Sequence, residues 1–109
     1  MIQIHYFRNG NDHRLSVQGH AGYDGHGRDI VCAAVSAISF ALLGWLNHAG
    51  CDISAAKAEP GDMTIVCRGG EKVQTAFDMA VVGYLQIEKQ YPHYINVHIA
   101  GDGVREKGA

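Results

Sequence analysis

Cys32 and His20 are the residues of this sequence whose types and setting are best suited to covalent chemistry. Cys32 lies just inside a long apolar run that begins at Ile30, and His20 precedes the glycine-rich loop that leads into that run. A thiolate beside an imidazole base is the arrangement that covalent cysteine catalysis requires. The pair therefore suggests nucleophilic attack by Cys32, with His20 as the general base.

Asp29 is predicted to place the thiol in the first turn of a helix. Its carboxylate is well positioned to be the N-cap and to accept the backbone N–H of Cys32. Unpaired N–H groups and the dipole at a helix N-terminus favour negative charge, and cysteines in such positions often have a lowered pKa. The same N–H groups are expected to stabilise an oxyanion on an attacked carbonyl. On a helical wheel Cys32 lies off the main apolar stripe, on the side of Ser36.

Spacing alone leaves other interpretations of these residues open. A free cysteine in an apolar helix is more often a packing residue, since cysteine is among the most buried residue types. Strand parity places His20 on the face opposite the buried one, so contact with Cys32 requires a twist or bulge at Gly19. A metal site of His20, His26 and Cys32 is disfavoured, because its spacing matches no familiar zinc pattern and no fourth ligand is evident. We predict neither a metal nor a cofactor.

The surrounding elements predict an α+β domain with two helices packed on a mostly antiparallel sheet, in the order ββαββαβ. Alternating apolar positions predict strands on both sides of the Asn9-Gly10 hairpin signal, on both sides of Pro60-Gly61, and over 94–100. Helices are predicted after Asp29 and over 69–92. Their buried faces are predicted to be Val31, Ala34 or Val35, Ile38, Leu42 and Trp45 in the first, and Val73, Phe77, Ala80, Tyr84, Ile87 and Tyr91 in the second.

The first predicted helix is unusually apolar. From Ile30 to Cys51 the chain has no Asp, Glu, Lys or Arg, and residues 30–46 reach the lower limit for a membrane span. Two serines and a glycine inside this run, with amphipathic elements on both sides, favour a buried helix and no membrane. Phe40 and Leu43 lie outside the main stripe, so the helix needs cover on more than one side. We therefore predict a homodimer.

The composition predicts one folded domain over residues 1–109. The chain is 47% hydrophobic and 18% charged, which favours a packed core over disorder. A net charge of −2 lacks the basic field that neutralises phosphates, so no direct nucleic-acid partner is predicted. The three cysteines suggest neither a disulfide framework nor a paired metal knuckle, and no signal segment is evident. These features predict a reducing, cytoplasmic compartment.

The run "GHAGYDGHGRDIVCAAVSA" (19–37) strongly resembles the ribosomal-processing cysteine proteases of the Prp family. That family has a Gly-His-Ala triplet, a short glycine-containing loop, and then Gly-x-Asp-Ile-Val-Cys-Ala-Ala-Val-Ser. Residues 19–21 match the triplet and residues 27–36 match the second motif. The resemblance extends over the whole chain, because family members have about this length and the same two-helix layout.

This resemblance implies that Cys32 is the nucleophile and His20 the general base, with Asp29 and Ser36 in supporting positions. It implies an endopeptidase that removes the N-terminal extension from the precursor of a large-subunit ribosomal protein, cutting after an aromatic-rich stretch. The loop 21–28 is then expected to contact the substrate. Its candidate residues are Gly22, Tyr23, Gly25 and Gly27. The alternatives are a non-enzymatic ribosome-associated protein-binding module and a structural or regulatory domain in which the thiol is inert.

Overall fold

The computed structural model describes residues 1–25 and 28–101, and its elements follow the predicted order ββαββαβ. The strands are β1 (Ile2–Asn9), β2 (Asp12–Gln18), β3 (Asp52–Glu59), β4 (Asp62–Arg68) and β5 (Ile95–Gly101), and the helices are α1 (Ile30–His48) and α2 (Glu71–Gln90). Residues 26, 27 and 102–109 lie outside the described residues.

The five strands form one sheet in the order β3-β4-β2-β1-β5. All neighbouring pairs are antiparallel except β1 and β5, which are parallel. The predicted hairpins are confirmed, and each turns at a glycine: Gly10 has φ +59° and Gly61 has φ +71°. Glycine adopts this left-handed region without the steric cost that other residues bear. The α+β class with a mostly antiparallel sheet is therefore confirmed.

The core lies between one face of the sheet and the two helices. Alternate residues of β1 and β2 point into it, and their partners on the opposite face are exposed or half-buried. The buried hydrophobic residues of these two strands are Ile2, Ile4, Tyr6, Leu15 and Val17. The period of two in the sequence therefore predicted the correct inward face of the first hairpin.

Helix α1 buries a face slightly different from the predicted one. Val31, Val35 and Leu42 are buried as predicted, but Trp45 remains 39% exposed. The buried stripe continues instead at Leu46, four residues after Leu42, because a step of four keeps the side chain on the sheet-facing side. In α2 the predicted buried residues Val73, Phe77, Ala80 and Tyr84 are confirmed, Val81 is added, and Ile87 and Tyr91 are half-buried.

A serine completes the buried face of α1. Ser39 is only 3% exposed. Its hydroxyl donates to the carbonyl oxygen of Val35 at 2.7 Å and pairs with the Tyr84 hydroxyl of α2, also at 2.7 Å. Both hydroxyls are therefore satisfied where the two helices meet, as buried polar groups require.

The outward surface of α1 is apolar and largely uncovered. By length and composition alone the helix is long and apolar enough to cross a membrane, with a mean hydropathy of 1.9. Buried helices of soluble domains can have the same properties. Here 28% of the apolar segment is buried inside the fold, and Phe40 is 56% exposed.

Candidate active site

The thiol of Cys32 is held in the first turn of α1 by the cap that the sequence predicted. The Oδ1 atom of Asp29 accepts the backbone N–H groups of Val31 and Cys32, each at 3.0 Å. Cys32 is half-buried, beside the sheet-facing stripe rather than within it. The sulfur therefore lies at the edge of the core, where a substrate can reach it.

Asp29 also binds the loop that precedes the helix. Its Oδ2 atom accepts the backbone N–H of Tyr23 at 3.0 Å and that of Asp24 at 3.5 Å. Burial by itself would raise the pKa of the Asp29 carboxyl, but hydrogen bonds from the backbone N–H groups of Cys32, Tyr23 and Asp24 outweigh it and hold the pKa below its ordinary value. The carboxylate is therefore ionised at neutral pH.

The N–H groups of the first turn of α1, from which oxyanion binding was expected, already have acceptors in this structure. Those of Val31 and Cys32 already donate to the Asp29 carboxylate, and that of Ala33 donates to the Asp29 carbonyl oxygen at 3.0 Å. A different donor reaches the reactive atom: the backbone N–H of Ala21 points at Cys32 Sγ from 3.3 Å. This bond comes from the residue that follows His20, so it holds the histidine segment against the nucleophile.

His20 reaches this region because the chain changes direction at Gly19. Gly19 has φ +95°, and a Cβ there would lie 2.5 Å from the carbonyl oxygen of Met1, so only glycine fits. The turn places Ala21 in the core and leaves the His20 side chain exposed. The departure from strand parity that the sequence required at Gly19 is therefore a left-handed backbone conformation.

The His20 ring rests against the turn between β3 and β4. A Cβ built on Gly61 would lie 2.5 Å from Nε2 of His20, and the Gly19 N–H donates to the Gly61 carbonyl oxygen at 2.9 Å. Within residues 1–25 and 28–101, no side-chain hydrogen bond joins His20 to Cys32. Catalytic hydrogen bonds are often long or misaligned in free enzymes and shorten only when substrate binds.

One groove of about 650 Å³ brings together most of the residues that the sequence singled out. His20, Gly22, Asp29, Cys32 and Ser36 all line it. The remaining loop candidates do not join them: Tyr23 and Gly25 are not among the described lining residues, and Gly27 lies outside the described part of the chain.

Tyr23 packs outside the groove. Its ring meets the rings of Tyr91 and Tyr94 edge-on, with centroid distances of 5.5 and 5.2 Å. Tyr91 and Tyr94 lie in the connection between α2 and β5, so the contact fastens one end of the loop to that connection. The Tyr23 ring therefore has an anchoring position in this structure, and its contact with substrate stays a prediction.

The opposite wall of the groove is a segment that sequence reasoning missed. Residues 58–63, at the end of the β3–β4 hairpin, face α1 across the cavity, and Phe40 lines its α1 side. The only signal was Pro60-Gly61, which predicts a turn but not what the turn lies against. Carboxylates from Asp24, Asp29, Glu59 and Asp62 line the groove, and no lysine or arginine does so among the described residues.

Comparison with known proteins identifies relatives of this chain by sequence and by fold. Residues 1–96 match the family model described as Cysteine protease Prp. A ribosomal processing cysteine protease Prp from Mycoplasma genitalium is 30% identical over 98 residues, which cover 90% of this chain and 95% of that protein. The fold matches that of the S. aureus ribosomal processing protease Prp, which was solved with a covalently linked product peptide. The TM-score is 0.81 at 22% identity, and the match covers 92% of this chain and 100% of that one. The fold also matches SMU.848 from Streptococcus mutans at a TM-score of 0.74 and 29% identity, covering 94% and 96%.

Proposed function

Because the chain belongs to the cysteine protease Prp family, we propose that it removes the N-terminal extension from the precursor of a large-subunit ribosomal protein. Cys32 is the proposed nucleophile and His20 the proposed general base. The observation that carries this assignment is that both residues line one groove, with the Ala21 N–H donating to the Cys32 sulfur at 3.3 Å. Membership of a protease family favours an enzyme over the non-enzymatic binding module.

The proposed reaction has two steps. In the first, the His20 imidazole takes the thiol proton and Sγ attacks the scissile carbonyl carbon; the C–N bond then breaks, the imidazolium gives its proton to the leaving amine, and a thioester remains. In the second, His20 takes a proton from water as the oxygen attacks the thioester. The C–S bond then breaks to release the carboxylic acid and restore the thiol. Neither step needs a metal or a cofactor.

Asp29 and Ser36 support this chemistry in different ways. Asp29 is a positioning residue, since its two oxygens bind both the first turn of α1 and the loop after His20. Ser36 follows Cys32 by one helical turn and is exposed on the same wall of the groove. We assign it a contact with the bound peptide rather than with the reacting atoms.

The lining of the groove fits an extended peptide with aromatic and basic residues. Phe40 and Pro60 provide apolar surface on facing walls. Four acidic residues also line the groove, and although Lys57 pairs with Glu59 and Asp62, the acidic residues outnumber this single lysine and favour a basic peptide. Ribosomal proteins are basic because they bind RNA, so their precursors match this charge. The S. aureus relative is described with a covalently linked product peptide. We further propose that the enzyme acts in the cytoplasm and contacts its protein substrate rather than nucleic acid.

The test is incubation with the precursor ribosomal protein of the same organism, read by intact mass. We expect loss of an N-terminal peptide with the wild-type enzyme and none with Cys32→Ser. A parallel experiment with iodoacetamide at pH 6 should label Cys32 far faster than Cys51 or Cys67. Burial raises the pKa of the Cys67 thiol, which makes it a slow internal reference. An intact precursor, or cleavage by the Cys32→Ser protein, would contradict the proposal.

A further inference from the structure

We infer that Gly61, in the turn between β3 and β4, is a positioning residue that sets the place of the His20 imidazole in the groove. The inference rests on the proposed function, because it takes His20 to be the general base. It concerns a residue distant in sequence from both members of the proposed catalytic pair.

Gly61 contacts the His20 segment in two places, at the backbone of Gly19 and at the ring of His20. The Gly61 carbonyl oxygen accepts the N–H of Gly19, at 2.9 Å, which holds the turn against the backbone next to the histidine. Gly61 also has no side chain on the side that faces the His20 ring. A Cβ at this position would lie 2.5 Å from His20 Nε2, 2.9 Å from Cε1 and 3.3 Å from Cδ2. The imidazole therefore lies edge-on against a surface that only glycine leaves open.

The turn itself is fixed by neighbouring side chains. Asp62 accepts a bond from Lys57 at 2.7 Å and one from Gln18 at 3.4 Å. Gln18 is the last residue of β2, two positions before His20, and it pairs with Asp62 in the β2–β4 register. The turn and the histidine are thus anchored to the same strand end, so the position of Gly61 relative to His20 is well defined.

A side chain at position 61 should displace the ring rather than unfold the protein. The atoms that it would meet are the far end of an exposed side chain, which can rotate away at little cost. The base would then leave its place in the groove, and small misplacements of a catalytic group cost about 100-fold in rate. Gly61→Ala is therefore expected to lower kcat/KM for precursor cleavage about 10- to 100-fold.

Gly10 provides a matched control in the β1–β2 turn. It has φ +59°, close to the +71° of Gly61, so Gly10→Ala introduces the same left-handed backbone strain. A Cβ at Gly10 would meet nothing within 4 Å. The two alanine variants should therefore lose similar thermal stability, and only Gly61→Ala should lose activity and shift the NMR resonances of the His20 ring.

A double-mutant cycle separates positioning of the base from damage to the groove. In a His20→Ala background, Gly61→Ala should cause no further loss in the residual rate of Cys32 alkylation, because the group that it displaces is gone. If Gly61→Ala does not fold, Gly61→Asn and Gly10→Asn carry the same comparison, since asparagine tolerates positive φ.

The outcomes distinguish this inference from the proposed function. A wild-type protein that leaves the precursor intact overturns the proposed function, and the inference with it. A wild-type protein that cleaves, together with equal activities and equal His20 resonances in Gly61→Ala and Gly10→Ala, overturns the inference alone. A further rate loss from Gly61→Ala in the His20→Ala background also overturns it, because the effect would then not act through the histidine.

Discussion

Asp29 connects the nucleophile to the segment that carries the base. One carboxylate oxygen binds the first turn of α1 and the other binds the loop after His20. The same hydrogen bonds lower the pKa of the carboxyl despite its burial. A single side chain therefore sets the direction of the helix and the distance between its first turn and the loop.

The proposed roles of Cys32 and His20 predict loss of processing without loss of fold. Cys32→Ser and His20→Ala should each abolish measurable cleavage, and to a similar extent, because residues that act as one catalytic unit are not additive. Both side chains lie at the groove rather than deep in the core, so thermal unfolding should change little. Mass spectrometry of the precursor measures cleavage, and circular dichroism during heating measures thermal unfolding. Cleavage by either variant at the wild-type rate would remove the assignment.

Removing the Asp29 carboxylate should destabilise the protein in a pH-dependent way. Loss of the N-cap in Asp29→Ala is expected to cost about 1–2 kcal/mol at neutral pH. The folded pKa is lower than the unfolded value of about 3.9, so this contribution is complete above that pH and disappears as pH falls through the folded pKa. Urea unfolding between pH 7 and pH 3 measures it.

Asp24→Ala is the control for this prediction, because Asp24 is exposed in the same loop and its side chain does not cap the helix. We expect Asp24→Ala to change stability much less than Asp29→Ala at every pH. The difference in the free energy of unfolding between wild type and Asp29→Ala should shrink as the pH falls. A difference that stays constant down to pH 3 would show that ionisation of the carboxylate is not its source.

At the level of elements, local patterns predicted what each segment is, and long-range packing decided what it lies against. The Asn9-Gly10 and Pro60-Gly61 signals and the apolar periods were enough for the order of strands and helices. They could not reveal that the β3–β4 turn faces His20, because that contact depends on strand order in the sheet. Trp45 was misplaced for a related reason, since the direction of the sheet relative to α1 chose Leu46 instead.

The cluster of Tyr23 with Tyr91 and Tyr94 was equally invisible in the sequence, and it predicts how the loop is held. Tyr23→Ala should remove both edge-on ring contacts, speed amide hydrogen exchange at residues 22–25, and raise KM several-fold. Tyr23→Phe keeps the ring and should behave as wild type. Hydrogen exchange by mass spectrometry, with and without an uncleavable peptide, measures the effect. Equal exchange in Tyr23→Ala and Tyr23→Phe would show that the ring does not anchor the loop.

At the scale of the whole molecule, the apolar outer surface of the helical layer needs an explanation. Phe40 of α1 is 56% exposed, and Met79 and Val82 of α2 are 72% and 54% exposed. Only 28% of the apolar segment of α1 is buried within the fold. Exposed apolar side chains of this size mark a protein or membrane contact where they form a patch. A two-fold symmetric dimer covers such a face most simply, because the same surface of each chain is then buried against its copy.

We therefore expect the protein to be a homodimer, with the exposed side of α1 at the two-fold axis. Light scattering at micromolar concentration should give twice the 11.8 kDa mass of the chain. Ala41→Glu, on the exposed side of α1, should shift the mass toward the monomer because it places a charge in an apolar interface. Phe7→Glu changes an exposed apolar residue on the open face of the sheet and should leave the mass unchanged. A monomer mass for the wild-type chain at every concentration contradicts the dimer, and sedimentation of the chain with lipid vesicles would assign the apolar face to a membrane instead.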